Sequence, residues 1–156
     1  MNGETFMRRA IALSLEQVHA GHGGPFGAVV VKDGRIIGEG ANRVTSTNDP
    51  TAHAEIVAIR QACAALGSFN LEGAEIYTSC EPCPMCLAAI YWARISKIFY
   101  ANDRKQAAAI GFDDDFLYCE IPLPVAERKI ATLRLLPEEA QQAFAAWEKK
   151  SDKIPY

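Results

Sequence analysis

The chain has 156 residues, of which 49 % are hydrophobic and 22 % charged, and a formal net charge of −3. That length suits one domain with a real core, and the charge share excludes a disordered chain. Residues 1–100 carry eight basic and nine acidic residues, and residues 101–156 carry eight and ten. No basic arm or stripe is left to follow a phosphate backbone, which argues against nucleic acid as a partner. No apolar run has the length to span a bilayer, so no membrane role is expected. Five cysteines, three of them clustered, fit a reducing, cytoplasmic compartment better than a disulfide framework.

Residues 4–20 repeat apolar side chains on a helical period, with Met7, Ile11, Leu15 and Val18 on the expected inner face and Phe6, Ala10 and Leu13 beside it. The apolar run there is too short for a secretion signal. GHGGPFG ends that helix. AVVVKDGRIIGEG reads as two strands joined by a two-residue Asp33-Gly34 turn. NRVTSTNDPT is polar loop. A helix is expected from about Ala52 to Leu66, with Ile56, Ile59, Cys63 and Leu66 on one stripe. AEIYTS is a short strand, Pro84 opens a helix to about Ala93, and SKIFYA is another strand. GFDDDF is an acidic loop or helix start, and KIATLRLL is extended. Pro137, Glu138 and Glu139 open a last helix, with Ala140, Phe144 and Trp147 facing inward. Strands alternating with helices predict an α/β layered fold with a mixed sheet.

Two segments concentrate the chemistry. PTAHAEIVA puts His53 and Glu55 in the first turn of one predicted helix, and EPCPMC puts Cys83 and Cys86 in the first turn of another. Residues three apart share a helix face, so both thiols can reach one ion. Pro84 suits a first helical position, and the positive helix end favours thiolate. One imidazole and two thiolates are the three protein ligands of a catalytic zinc, whose fourth position takes water. Glu55, two residues from His53 and aimed elsewhere, is placed to carry protons beside that water. A fourth ligand, Cys80, would instead close the site and make it structural. Cys80 ends a strand, so its expected role is a small buried neighbour. A Cys-x-x-Cys redox pair would leave His53 and Glu55 unexplained. Cys63, Cys119, His19 and His22 read as bystanders. His53-Ala54-Glu55 followed by Pro82-Cys83-Pro84-Met85-Cys86 is the signature of zinc deaminases.

With GGPFGAVVVKDG, NDPTAHAEIVAIR, YTSCEPCPMCLAAIYWAR and GFDDDF, these motifs make the chain from about residue 3 onward resemble the bacterial guanine deaminases of the cytidine/deoxycytidylate deaminase family. The resemblance implies one zinc deaminase domain over residues 1–156, with three layers and a central five-stranded mixed sheet flanked by helices. It implies one Zn2+ per chain and a homodimer, with a tail at 151–156 exchanged between subunits so that Tyr156 closes over the partner's pocket. The implied reaction is hydrolysis of guanine to xanthine and ammonia, with Glu55 as the catalytic proton carrier. It also puts Asn42 on the purine edge, Asp114 as an acceptor of purine N–H groups and Glu120 as a further acid. Phe26 and Trp92 read either as walls of a base pocket or as core, and the three adjacent aspartates either as site or as solvated loop. The backbone N–H of Ala54, at a helix start, is open to the base.

The metal motif alone does not choose the substrate. A tRNA adenosine deaminase would want a cationic surface, which this charge distribution lacks. A cytosine or aminotriazine deaminase would share the small-ring chemistry. A structural zinc module is the alternative outside enzymes, and Glu55 separates the two classes, because a structural site has no use for a carboxylate beside its metal.

Overall fold

The structure, a computed structural model, describes residues 2–156. Helix α1 (Gly3–Ala20) starts where the Asn2 side chain accepts from the Thr5 N–H and stops at Gly21 in the left-handed region. Strands β1 (Gly27–Lys32) and β2 (Arg35–Ala41) form the expected hairpin. Asp33 and Gly34 both have positive φ, 50° and 72°, the two-residue turn whose twist matches paired strands. Then come α2 (Val44–Thr47), α3 (Ala54–Leu66), β3 (Glu75–Cys80), α4 (Pro84–Trp92), β4 (Lys97–Asn102) and α5 (Arg104–Ala109). The strand order is β2-β1-β3-β4; β1 runs antiparallel to β2 and β3, and β3 runs parallel to β4 through the α4 crossover. The α/β class and the mixed sheet are as expected, but among the described residues the sheet has four strands rather than five.

The chain divides into two compact units, Met1–Asp114 and Asp115–Tyr156. In the first, β1 is buried on both faces, which is why AVVVK reads as a continuous apolar run. One face carries Ala28, Val30 and Ile76 against Ala54, Ala58 and Ala62 of α3 and Ile90 of α4. The other carries Val29, Val31 and Tyr77 against Phe6 of α1, with Tyr77 stacked on Phe99 at 4.5 Å between ring centroids.

Two buried stripes differ from the expected ones, for a shared reason. On α3 the buried residues are Ala54, Glu55, Ala58 and Ala62, while Ile56, Ile59 and Cys63 are half-buried and Leu66 is exposed. A Cβ on Gly38 would fall 2.3 Å from the Ala58 carbonyl oxygen, and one on Gly40 2.1 Å from that of Ala54. Glycines on β2 let the helix backbone lie against the strand, and only small residues fit in that seam; bulkier ones move to its flanks. On α1 the inward residues are Phe6, Ala10, Ser14 and Gln17, while Ile11, Leu15 and Val18 are exposed. Gly27 has the equivalent role there, since its Cβ would meet the Ala10 carbonyl oxygen at 2.2 Å. Gly40→Ala is accordingly expected to cost about 3 kcal/mol, the upper end for overpacking, read as a lowered denaturant midpoint at unchanged m-value. A loss under about 0.5 kcal/mol, the range of ordinary surface changes, would show that the seam yields freely.

Helix α5 is absent from the reading of the sequence, although its signal is present. Asp103 accepts from the Gln106 N–H, and the Gln106 side chain accepts from the Asp103 N–H, the reciprocal cap spelled by D-x-x-Q. The second unit holds α6 (Asp115–Glu120), a 3-10 turn at Val125–Glu127, a stretch at 131–136 that is neither helical nor strand-paired, and α7 (Pro137–Lys149). None of its residues is buried. Ala140, Phe144 and Trp147 therefore do not face inward as expected, and Phe144 is 71 % exposed. This unit contains no sheet or second long helix on which the apolar stripe of α7 could pack.

Candidate active site

His53 and Cys83 are the N-cap residues of α3 and α4, and neither uses its side chain to cap its helix. N-caps usually spend a polar side chain on the helix's free N–H groups. Here both side chains turn away, and Cys86 joins them one turn into α4. Pro84 takes the first helical position, as its fixed φ allows. His53 Nδ1 lies 3.5 Å from the sulfurs of both Cys83 and Cys86. All three donor atoms lie within 4.8 Å of one another. Zinc at about 2.3 Å from sulfur and about 2.05 Å from nitrogen, at tetrahedral angles, implies an S···N separation of about 3.6 Å. The donors already stand at that spacing.

Their protonation fits a cation site as well. The thiol of Cys86 donates to Cys83, and this bond, then His53, pulls the Cys83 pKa down to about 4. The same bond, with burial and the charge of Glu55, pushes Cys86 up. His53 is raised, chiefly by its hydrogen bond with Cys83. A divalent ion held by His53, Cys83 and Cys86 would favour the thiolate form of both sulfurs. Cys80, at the end of β3, is not in the cluster; its sulfur lies 3.9 Å from the Asp103 carbonyl oxygen, and burial pushes its thiol up to about 11. It has the features of a neutral, buried neighbour.

Glu55, on α3 two residues past His53, is 6 % exposed. Burial raises its carboxyl above the usual range, against the pull of its own backbone N–H and the Cys86 thiol. The Thr78 hydroxyl lies 3.3 Å from Glu55 Oε1 and 2.9 Å from the Cys80 carbonyl oxygen. Period-two alternation along β3 puts Ile76, Thr78 and Cys80 on one face, so Thr78 is the functional neighbour that the sequence reading passes over.

The remaining candidates fall into two groups. Asn42 is buried, and its Oδ1 accepts from the N–H groups of Gly24 and Val44. Its backbone oxygen takes the Gln17 amide at 2.7 Å. The amide is thus clamped with its oxygen engaged. Phe26 meets Phe112 edge to face at 4.9 Å and also packs against the core; Phe112, in GFDDDF, is a second ring that the sequence reading omits. Ala54 is fully buried at the start of α3. Asp114 is half-buried and raised, first by burial and then by the charge of Cys83, while Arg104 draws it down. The charge of Asp114 in turn raises Cys80. Trp92, 66 % exposed at the far end of α4, is not core. Tyr156 and Glu120 lie in the second unit, where Glu120 accepts from the Lys129 N–H at 2.8 Å.

Residues 1–102 match the model of the cytidine and deoxycytidylate deaminase zinc-binding region. The chain belongs to the cytidine and deoxycytidylate deaminase family. It is 55 % identical to the guanine deaminase of Bacillus subtilis over all of both chains. The crystal structure of that enzyme superposes with a TM-score of 0.97, covering 100 % of this chain and 99 % of that one. A tRNA-specific adenosine deaminase of Agrobacterium fabrum is 54 % identical over 85 residues, 54 % of this chain and 56 % of that protein. A guanine deaminase of Nitrosomonas europaea matches at a TM-score of 0.69 with 34 % identity, over 72 % of this chain and 65 % of the other.

For this deaminase, the matched zinc-binding region and the His53, Cys83 and Cys86 donors fit one zinc ion per chain. Purified protein is expected to carry about one zinc, and Cys83→Ala to strip it. Cys80→Ala is expected to leave zinc content near one. Loss of the metal on that change would make the site a closed four-ligand centre.

Proposed function

We propose that this protein is a zinc-dependent guanine deaminase that hydrolyses guanine to xanthine and ammonia, working as a homodimer in a reducing cytoplasm. The observation that carries the substrate is likeness to a guanine deaminase along the whole chain, whereas the tRNA adenosine deaminase shares only about half of it. His53, Cys83 and Cys86 hold the metal. Zinc, when bound, supplies a Lewis acid that brings the pKa of a water ligand toward neutrality. Glu55 would take a proton from the attacking water as the water oxygen bonds to C2 of guanine. It passes that proton to a ring nitrogen, then takes the remaining proton from the new C2 hydroxyl and gives it to the amine, so that C2=O forms as the C2–N bond breaks and ammonia leaves. A carboxyl raised by burial is suited to this exchange, because the shift makes it a stronger proton acceptor than an ordinary carboxylate.

The base is held by groups that match its faces and edges. Phe26, backed by Phe112, forms one apolar wall. Asn42 donates through Nδ2 to a purine acceptor, the Ala54 N–H adds a second donor, and Asp114 accepts from purine N–H groups. Tyr156, on a tail lent by a second copy, closes over the base. All five cysteines are free, in keeping with a reducing compartment.

A second copy supplies what one chain leaves open. β4 is an edge strand, residues 131–136 are extended in sequence pattern but unpaired, and Ile130, Leu133, Leu135 and Phe144 are exposed. Pairing of the 131–136 stretch with β4 of a partner makes the fifth strand and covers these side chains, and each domain is completed by exchange. The test of function is ammonia release from guanine, adenine, cytosine, cytidine and a tRNA anticodon stem. Guanine is expected to be turned over fastest; preference for the tRNA would replace the proposal with the adenosine-deaminase reading.

A further inference from the structure

We propose that Thr78 is the positioning residue for the Glu55 carboxylate: its hydroxyl fixes Oε1 and so reserves Oε2 for proton transfer. This rests on the role given to Glu55 above, but not on which aminated base is the substrate. Glu55 sits at the second position of α3, near a helix end, and three bonds of its side chain are free to rotate. Burial alone does not choose among its rotamers. The groups able to anchor it are few. Besides its own N–H and the Cys86 thiol, there is Thr78, which comes from β3, beneath the helix, at 3.3 Å and 1 % exposure.

The hydrogen-bond valence of Thr78 makes it more than a fixed peg. One hydroxyl proton stands between two acceptors, Glu55 Oε1 and the Cys80 carbonyl oxygen, the latter at 2.9 Å. Toward an ionised Glu55 the hydroxyl turns and donates to Oε1. With a proton on Oε2, Oε1 is a carbonyl oxygen and still accepts from the same hydroxyl. The hydroxyl therefore holds Oε1 from a fixed place on β3. The backbone beneath is stiff: Thr78 pairs with Ala28 in β1 and Tyr100 in β4. A site held on paired strands keeps its geometry better than one held on a loop.

The test uses the zinc-loaded, full-length protein and whichever base the parent turns over fastest. Thr78→Val is nearly isosteric and removes only the hydroxyl; Thr78→Ser keeps the hydroxyl and removes a methyl. Thr78→Val is expected to lower kcat about tenfold to a hundredfold, the loss for one hydrogen bond to a charged group, with KM within about threefold and zinc content near one. Thr78→Ser is expected to recover most of that loss. In a Glu55→Gln background, Thr78→Val is expected to cause little further loss, since the two residues act as a unit. Equal losses in the Val and Ser variants, a loss confined to KM, or an additive loss in the double variant would overturn the assignment. If the parent turns over another base faster than guanine, the substrate reading falls while the Thr78 comparison stands on that base.

Discussion

Glu55→Gln lowers turnover at least about a hundredfold, the lower end for loss of general acid–base help, and leaves zinc bound. The amide keeps the shape of the side chain and can still accept from Thr78, so substrate and metal positions stay as they are. It cannot take a proton from water and return it, so the loss falls on kcat with KM nearly unchanged. Stability moves the other way. Burial raises the Glu55 carboxyl, which means the fold disfavours its ionised form. A neutral amide removes that cost, and the variant's thermal midpoint is expected to equal or exceed the parent's, the pattern of a site that gives up stability for chemistry. Near-normal turnover by a zinc-loaded Gln variant would remove Glu55 from the reaction.

What the sequence makes legible is chemistry that local spacing dictates. Asp33-Gly34 announces its turn because few residue pairs accept two positive φ values. His53, Glu55, Cys83 and Cys86 announce a metal centre because two helix starts each carry donors at a spacing that points to one ion. Burial on α1 and α3 is different. Ile11, Leu15 and Leu66 have the right period for a core, yet they are exposed, because depth is set by glycines on β1 and β2 that lie far away in sequence. The contact of Thr78 with Glu55 crosses 23 positions, and no single segment encodes it. Trp92 and the apolar stripe of α7 expose a third kind of gap: the residues are apolar in pattern, yet Trp92 is 66 % and Phe144 71 % exposed, because an apolar pattern does not itself supply a packing partner.

That gap leads to the other large effect. Removing residues 152–156 is expected to lower turnover about thirtyfold or more, as loss of a buried aromatic anchor at an interface does, with zinc content and thermal midpoint near those of the parent. Ile154 and Tyr156 are 66 % and 74 % exposed, and Pro155 holds Ile154 in an extended backbone suited to reaching across a surface. If the tail closes its own chain's pocket, or frays, nothing distinguishes a mixed dimer from its parents. If it closes the partner's pocket, two weak variants repair each other. A full-length Glu55→Gln chain has a tail but no proton carrier, and a chain truncated after Ser151 has a proton carrier but lends no tail. In their mixed dimer, one site combines the intact Glu55 with the donated tail, and the other has neither. Refolding the two together in equal amounts gives half mixed dimers, each with one working site of two, and so about a quarter of parental activity. Recovery to that level requires a tail acting in trans; activity no higher than the average of the two variants alone would return the tail to its own subunit.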